Sequence, residues 1–176
     1  MDWTRAGLTE AGFVGFVRFT ALPETPVPAG AGVYVILRTN NEPPRFRHRS
    51  PAGCFKGKDP SVTDAELADA WLAHALVLYI GKAGIGSTGR RGLRKRLDEY
   101  RRHGAGEPVG HWGGRYIWQL EGSDQFLVAW KGIHGQDPES VEAELITDFV
   151  ETHGARPFAN RKAGRSVARR ARHRAS

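Results

Sequence analysis

The sequence predicts an α+β fold: a small central, mainly antiparallel β-sheet flanked by helices, with an N-terminal extension and an insert between the two central strands. Three observations predict it. Segments of period-2 alternation at 32–38, 76–81 and 126–130 are interleaved with helical segments at 64–75, 90–102 and 138–153. Glycine, proline and asparagine gather at the boundaries between them. The 176 residues are 40% hydrophobic, one domain's worth of chain, able to bury about 70% of the surface it exposes when unfolded.

The elements follow in order. FVGFVRF, 13–19, reads as an early strand, after which Pro23, Pro26 and Pro28 mark an extended link. GVYVILR, 32–38, sets Val33, Val35 and Leu37 against Tyr34, Ile36 and Arg38, the pattern of a half-buried strand with Tyr34 facing away from the valine row. Residues 39–60 are rich in Pro, Arg, Asn and Gly and read as a long loop. Ser61 with Asp64, or Thr63 with Glu66, offers a capping box for a helix across 64–75. LVLYIG, 76–81, places Leu76, Leu78 and Ile80 on one face and Val77 and Tyr79 on the other. A helix at 90–102 comes next. YIWQL, 116–120, and FLVAW, 126–130, read as a hairpin around 121–124. Pro138 in its first turn and Gly154 beyond its last delimit the final long helix.

The net charge of +7 resides at one end. Residues 161–176 hold seven Lys and Arg and no acidic residue, which leaves 19 basic against 19 acidic residues in 1–160. The organisation expected is a single domain over 1–160, with its core at 32–160 and an insert at about 39–75, followed by a disordered basic tail that cannot bury a face. That tail reads either as a solubilising terminus or as a phosphate-contacting arm. Cys54 is the only cysteine, so one chain has neither a disulfide nor a thiolate zinc site, and a cytoplasmic setting fits. There is no basic segment followed by an apolar run at the N-terminus, and no apolar stretch of roughly 18 residues, so neither secretion nor a membrane partner is expected.

Two helices carry the chemistry. Taking 100° per residue from Val141, the apolar residues of the last helix centre near about 90° and Glu142 falls at about 100°, inside that stripe. Glu144, Asp148 and Glu151 fall on the opposite, solvated face. A carboxylate amid apolar neighbours pairs, protonates or binds a metal, because an unpartnered buried charge is costly. In the 90–102 helix, Leu93, Leu97 and Tyr100 share one side, and Arg96 borders it with a guanidinium suited to bidentate phosphate contact. Residues 84–89, GIGSTG, match the dinucleotide-binding turn. No acidic strand end follows about 20 residues later and no Walker lysine is present, so the segment reads as a flexible loop near phosphate.

Gly32-Val33-Tyr34, Tyr79-Ile80-Gly81, Arg96, Glu142 and Asn160, in this order, resemble the GIY-YIG endonuclease family. Lys82 and Tyr100 are similar to the variant found in excision-repair nucleases. The 45 residues from Tyr34 to Tyr79 exceed the family's usual short turn and resemble the elaborated stand-alone members, including some restriction endonucleases. The resemblance implies a Mg²⁺-dependent (or Mn²⁺-dependent) DNA endonuclease acting by one-metal hydrolysis. It implies Glu142 as the metal ligand and Arg96 as the phosphate-stabilising group. Tyr34, assisted by Lys82 or a neighbouring group, would position and deprotonate the attacking water, since a phenol with pKa about 10 is a poor base unaided. Tyr79 would hydrogen-bond water or phosphate, and Asn160 would position the glutamate or its neighbours. Tyr100 completes the set.

Taken singly, each tyrosine is also an ordinary strand or core residue. Arg115, Arg161, Lys162, Arg165, Arg169 and Arg170 join Arg96 as expected nucleic-acid contacts. Trp112 reads as structural, and His111 stays open between a DNA contact, a further site residue and neither. His103, His134 and His153 read as surface. Double-stranded DNA is the expected partner, and a homodimer would be needed for one-site units to cut both strands together. The alternatives are a catalytically silent DNA-binding module and an RNA-directed nuclease.

Overall fold

A computed structural model describes residues 1–161. Its architecture is α+β, built on a four-stranded, wholly antiparallel sheet. Strand β1 (Val14–Arg18), β2 (Gly32–Leu37), β3 (Val77–Ala83) and β4 (Leu127–Gly132) lie in the order β1-β4-β2-β3, so β3 is an edge strand. An all-antiparallel sheet has no parallel crossover to carry a dinucleotide-binding turn, and 84–89 is accordingly an exposed loop.

Both rows of β2 are apolar apart from the Tyr34 hydroxyl, and the strand is buried on both faces rather than one. Val33, Val35 and Leu37 pack with Val77, Ile80, Ile146 and Phe149; Tyr34 and Ile36 pack with Leu78, Tyr79, Leu93 and Tyr100. Helices α1 (Arg5–Glu10) and α4 (Pro138–His153) cover the first face, and α3 (Leu93–Gly104) covers the second.

The β2–β3 ladder pairs Ile36 with Tyr79 and Leu37 with Val77, leaving Leu78 as the extra residue of a bulge. The simple alternation expected for 76–81 is therefore broken. Leu78 and Tyr79 both turn to the Tyr34 face, and Val77 and Ile80 both turn to the α4 face. Tyr79 keeps its place opposite Ile36 in the regular ladder that runs on to Ala83, and the bulge instead brings Leu78 round to join it.

Segment 116–120 is not a strand. Arg115–Gln119 forms a 3₁₀ turn entered through Gly114 at φ +73°, because β4 already has β1 on one side and β2 on the other and can accept no hairpin partner. Helix α2 (Asp64–Ala70) is capped by Thr63, whose hydroxyl accepts from Glu66 N at 3.2 Å, but it ends five residues earlier than the periodicity suggests. Beyond it Trp71 is extended and packs on Phe46 and Phe158, and Arg38 donates to the carbonyls of Ala73 and Ala75. Helix α3 starts at Leu93 rather than residue 90, since Gly92 at φ +115° turns the chain and the carbonyls of Gly30 and Pro28 accept from Leu93 N and Arg94 N at 2.9 Å. The short α1 carries no strong apolar period and was not expected; Thr4 caps it. No helix among the described residues is long and apolar enough to cross a membrane.

The insert is part of the same core. Gln119 holds it by accepting from Val62 N at 2.7 Å and donating to the carbonyls of Arg47 and Val62, while Ala52, Leu67 and Ala70 join the apolar cluster on the Tyr34 face.

Candidate active site

The first motif strand delivers Tyr34 to the α3 side of the sheet, where its ring lies across Gly81 of the second motif. A Cβ at residue 81 would stand 2.5 Å from Tyr34 Cζ and 2.6 Å from its hydroxyl, so glycine is what lets the phenol lie there. Tyr34, Tyr79 and Tyr100 form a triangle with ring centroids 5.8–6.3 Å apart. All three are buried, and burial pushes each phenol above its ordinary value, Tyr79 and Tyr100 most strongly. Against that, the Arg96 charge favours ionisation of each of them. Tyr100 donates its hydroxyl to Gly114 O at 2.8 Å and is therefore a fixed platform. The Gly113-Gly114 backbone passes directly over these phenols: a Cβ on Gly113 would lie 2.7 Å from the Tyr79 hydroxyl, and one on Gly114 2.5 Å from that of Tyr100.

Arg96 projects from α3 with its side chain 26% exposed, the most accessible of this group. Its nearest carboxylate is Glu99, at 3.9 Å, too long to occupy the guanidinium's hydrogen-bonding fork.

Glu142 reaches the same strand end from the α4 side. Its side chain is 14% exposed, and burial raises its carboxyl above the ordinary range despite the opposing charges of Lys82 and Arg96. Lys82 pairs across the ladder with Val33, hence on the face opposite Tyr34, and its ammonium lies 2.9 Å from Glu139 and 3.4 Å from Glu142. It therefore serves the carboxylate; no hydrogen bond joins it to Tyr34 among the described residues. Glu142 lies within electrostatic reach of both Tyr34 and Tyr79, so the two faces meet around the end of edge strand β3.

Asn160 does not contact the glutamate. Its Oδ1 accepts from Ile80 N at 2.8 Å and its Nδ2 donates to Ile80 O at 2.7 Å, pinning the backbone of the second motif. Arg115 lies over Trp112 at 4.9 Å and over Tyr116 at 5.1 Å, and Arg161 lies over Tyr116 at 5.6 Å. Neither has an acidic partner among the described residues, which leaves two cations on an aromatic shelf next to the Gly113-Gly114 turn. Trp112 is half-buried in this shelf rather than a core residue. Lys162, Arg165, Arg169 and Arg170 lie outside the described residues.

Two histidines belong to the site's interior. His103, expected at the surface, is fully buried with both ring nitrogens unpartnered, and His111 is fully buried with its ring stacked on Tyr100 at 4.0 Å and 3°. For His103 a signal was present: it lies about 20° around α3 from Arg96. His111 had only its setting between glycines in GHWGG, which says nothing of burial.

Among the described residues no three His, Cys, Asp or Glu converge as a ready-made metal cage. The single carboxylate of Glu142 nevertheless fits a hard divalent cation, because Mg²⁺ keeps several waters and is commonly held by one or two carboxylates plus substrate phosphate. No family model, no curated protein and no solved structure matches this chain.

Proposed function

We propose that this protein is a metal-dependent DNA endonuclease that hydrolyses phosphodiester bonds at the β3 edge. The observation that carries the reading is the convergence there of Tyr34 and Tyr79 beside Arg96 with a largely buried Glu142 paired with Lys82. Mg²⁺ or Mn²⁺, when bound, would supply Lewis-acid charge on the phosphate. Glu142 would hold that cation with water and phosphate oxygen completing its shell.

The remaining work falls to side chains. Arg96 is more exposed than the tyrosines beside it, and with no carboxylate at hydrogen-bonding distance among the described residues its fork would bind two phosphate oxygens and balance the charge that grows in the transition state. Tyr34, beside Arg96, would position the attacking water and take its proton. Tyr79 contributes a second hydroxyl on the same face. Lys82 keeps Glu142 charged and oriented, with Glu139 sharing the ammonium. Arg115 and Arg161 extend the positive surface past the reacting phosphate, as binding to a polyanion requires.

Cleavage of supercoiled plasmid with Mg²⁺ tests the reading. Wild-type protein is expected to nick the plasmid and Glu142→Gln to be inactive, with circular dichroism and DNA retention unchanged. Normal cleavage by the variant would remove Glu142 from the site. Retention without cleavage by either protein would favour the binding-only module, and preferential cleavage of RNA in competition would reassign the substrate.

A further inference from the structure

Tyr34 poses a difficulty as a proton acceptor. Its hydroxyl already carries a proton, and burial strengthens its hold. To take a proton from water it must release its own, and it needs a neighbour with a free lone pair. The described residues provide one: the Tyr34 hydroxyl lies 3.5 Å from His111 Nε2. Resting on the nuclease reading above, we propose that His111 accepts the Tyr34 proton as Tyr34 takes the proton of the attacking water.

Three features of the ring suit this role. It is held in place, stacked coplanar with Tyr100, whose own hydroxyl is tied to Gly114 O. It is neutral: burial, the Arg96 charge and His103 all oppose protonation, so one of its two ring nitrogens keeps a free lone pair. Among the described residues its Nδ1 has no hydrogen-bond partner that would force the hydrogen onto Nε2, and the tautomer protonated at Nδ1 leaves Nε2 open to Tyr34. The charged and titratable groups facing His111 are Tyr34 from β2 and Arg96, Tyr100 and His103 from α3.

The step balances. A water O–H bond breaks and its proton goes to the Tyr34 oxygen as the Tyr34 proton moves to His111 Nε2. The resulting hydroxide forms the new bond to phosphorus, the bond to the leaving oxygen breaks with its electron pair, and that oxygen is protonated by solvent. The imidazolium exists only while extra negative charge on the phosphate offsets Arg96. It then returns its proton through Tyr34 to solvent. His111 touches no reacting atom and acts through Tyr34.

Single-turnover cleavage by saturating enzyme tests the proposal in the full chain. His111→Phe keeps an aromatic ring on Tyr100 and removes the acceptor. The expected result is unchanged DNA retention, a rate lower by about 100-fold, the modest end of general acid–base contributions, and a residual rate that depends linearly on deuterium content in mixtures of light and heavy water. A wild-type rate, or a lower rate with the curvature of wild-type protein intact, would overturn it. A second measurement needs no variant. The cleavage rate of wild-type protein in mixtures of light and heavy water should curve with deuterium content, as two protons in flight require, and a straight line would overturn the proposal. Failure of wild-type protein to cleave any nucleic acid, or normal activity of Glu142→Gln, would instead count against the nuclease reading.

Discussion

A single missing methyl group decides where the first motif tyrosine lies. The Tyr34 ring occupies the space above Gly81, and Gly81→Ala would force it off that shelf or distort the ladder. Overpacking of this kind costs about 1–3 kcal/mol, so a lowered urea midpoint is expected together with a fall in plasmid nicking larger than that instability explains. Nicking that tracks the residual folded fraction would show that the phenol's placement is not needed. The motif glycine was legible in the sequence as a motif letter, whereas its physical reason needed the third dimension. Glu142 was more legible still, because helical geometry alone sets it among apolar residues. His103 and His111 were not. Burial of an imidazole depends on which elements close over it, and no local pattern encodes the loop that covers Tyr79 and Tyr100.

Elements with strong internal periods appear where the sequence puts them: β2, β3, β4, α3 and α4 all form, with bounds within a few residues of expectation. Misreadings arose where partners override pattern. Segment 116–120 alternates like a strand, yet β4 has no vacant side, and α2 stops where extended Trp71 turns to pack on Phe46 and Phe158. The bulge at Leu78 was equally invisible, since period-2 counting has no signal for an extra residue. Asn160 illustrates a function set at this scale. Its amide satisfies both backbone groups of Ile80 from outside the sheet, as a neighbouring strand would. Asn160→Ala leaves a buried donor and acceptor unpaired and is expected to cost about 2–4 kcal/mol in urea unfolding. Faster amide exchange at Ile80 than in the rest of β3 would locate the loss; uniform exchange would assign it elsewhere.

Across the whole molecule, the charge states of buried histidines set an acid limit on stability. Burial holds His103 and His111 below the ordinary imidazole value of about 6.5. The unfolded chain therefore binds protons that the native protein excludes. Stability from this source is fully present above about pH 6.5 and is lost as pH falls through the depressed native values, at about 1.4 kcal/mol per pH unit for each histidine in that window. Urea midpoints measured between pH 8 and 5 should fall accordingly, and His103→Leu should fall less steeply than wild type. Parallel curves would exclude His103 as a contributor.

The chain segment ending in Asn160 also decides how copies of this protein could join. Leu78 O, Ile80 N and Ile80 O on the outer side of β3 are all occupied by residues 159 and 160, so another molecule's strand finds no ladder to extend there. The other rim of the sheet is β1, bent by its bulge and carrying an exposed Val14. Two copies sharing one sheet through β1 would hold their candidate sites at its two far ends, seven strand spacings or roughly 33 Å apart. On the proposed nuclease reading, such a pair would cut two separated points on a duplex, about one helical turn from each other, rather than opposing phosphates.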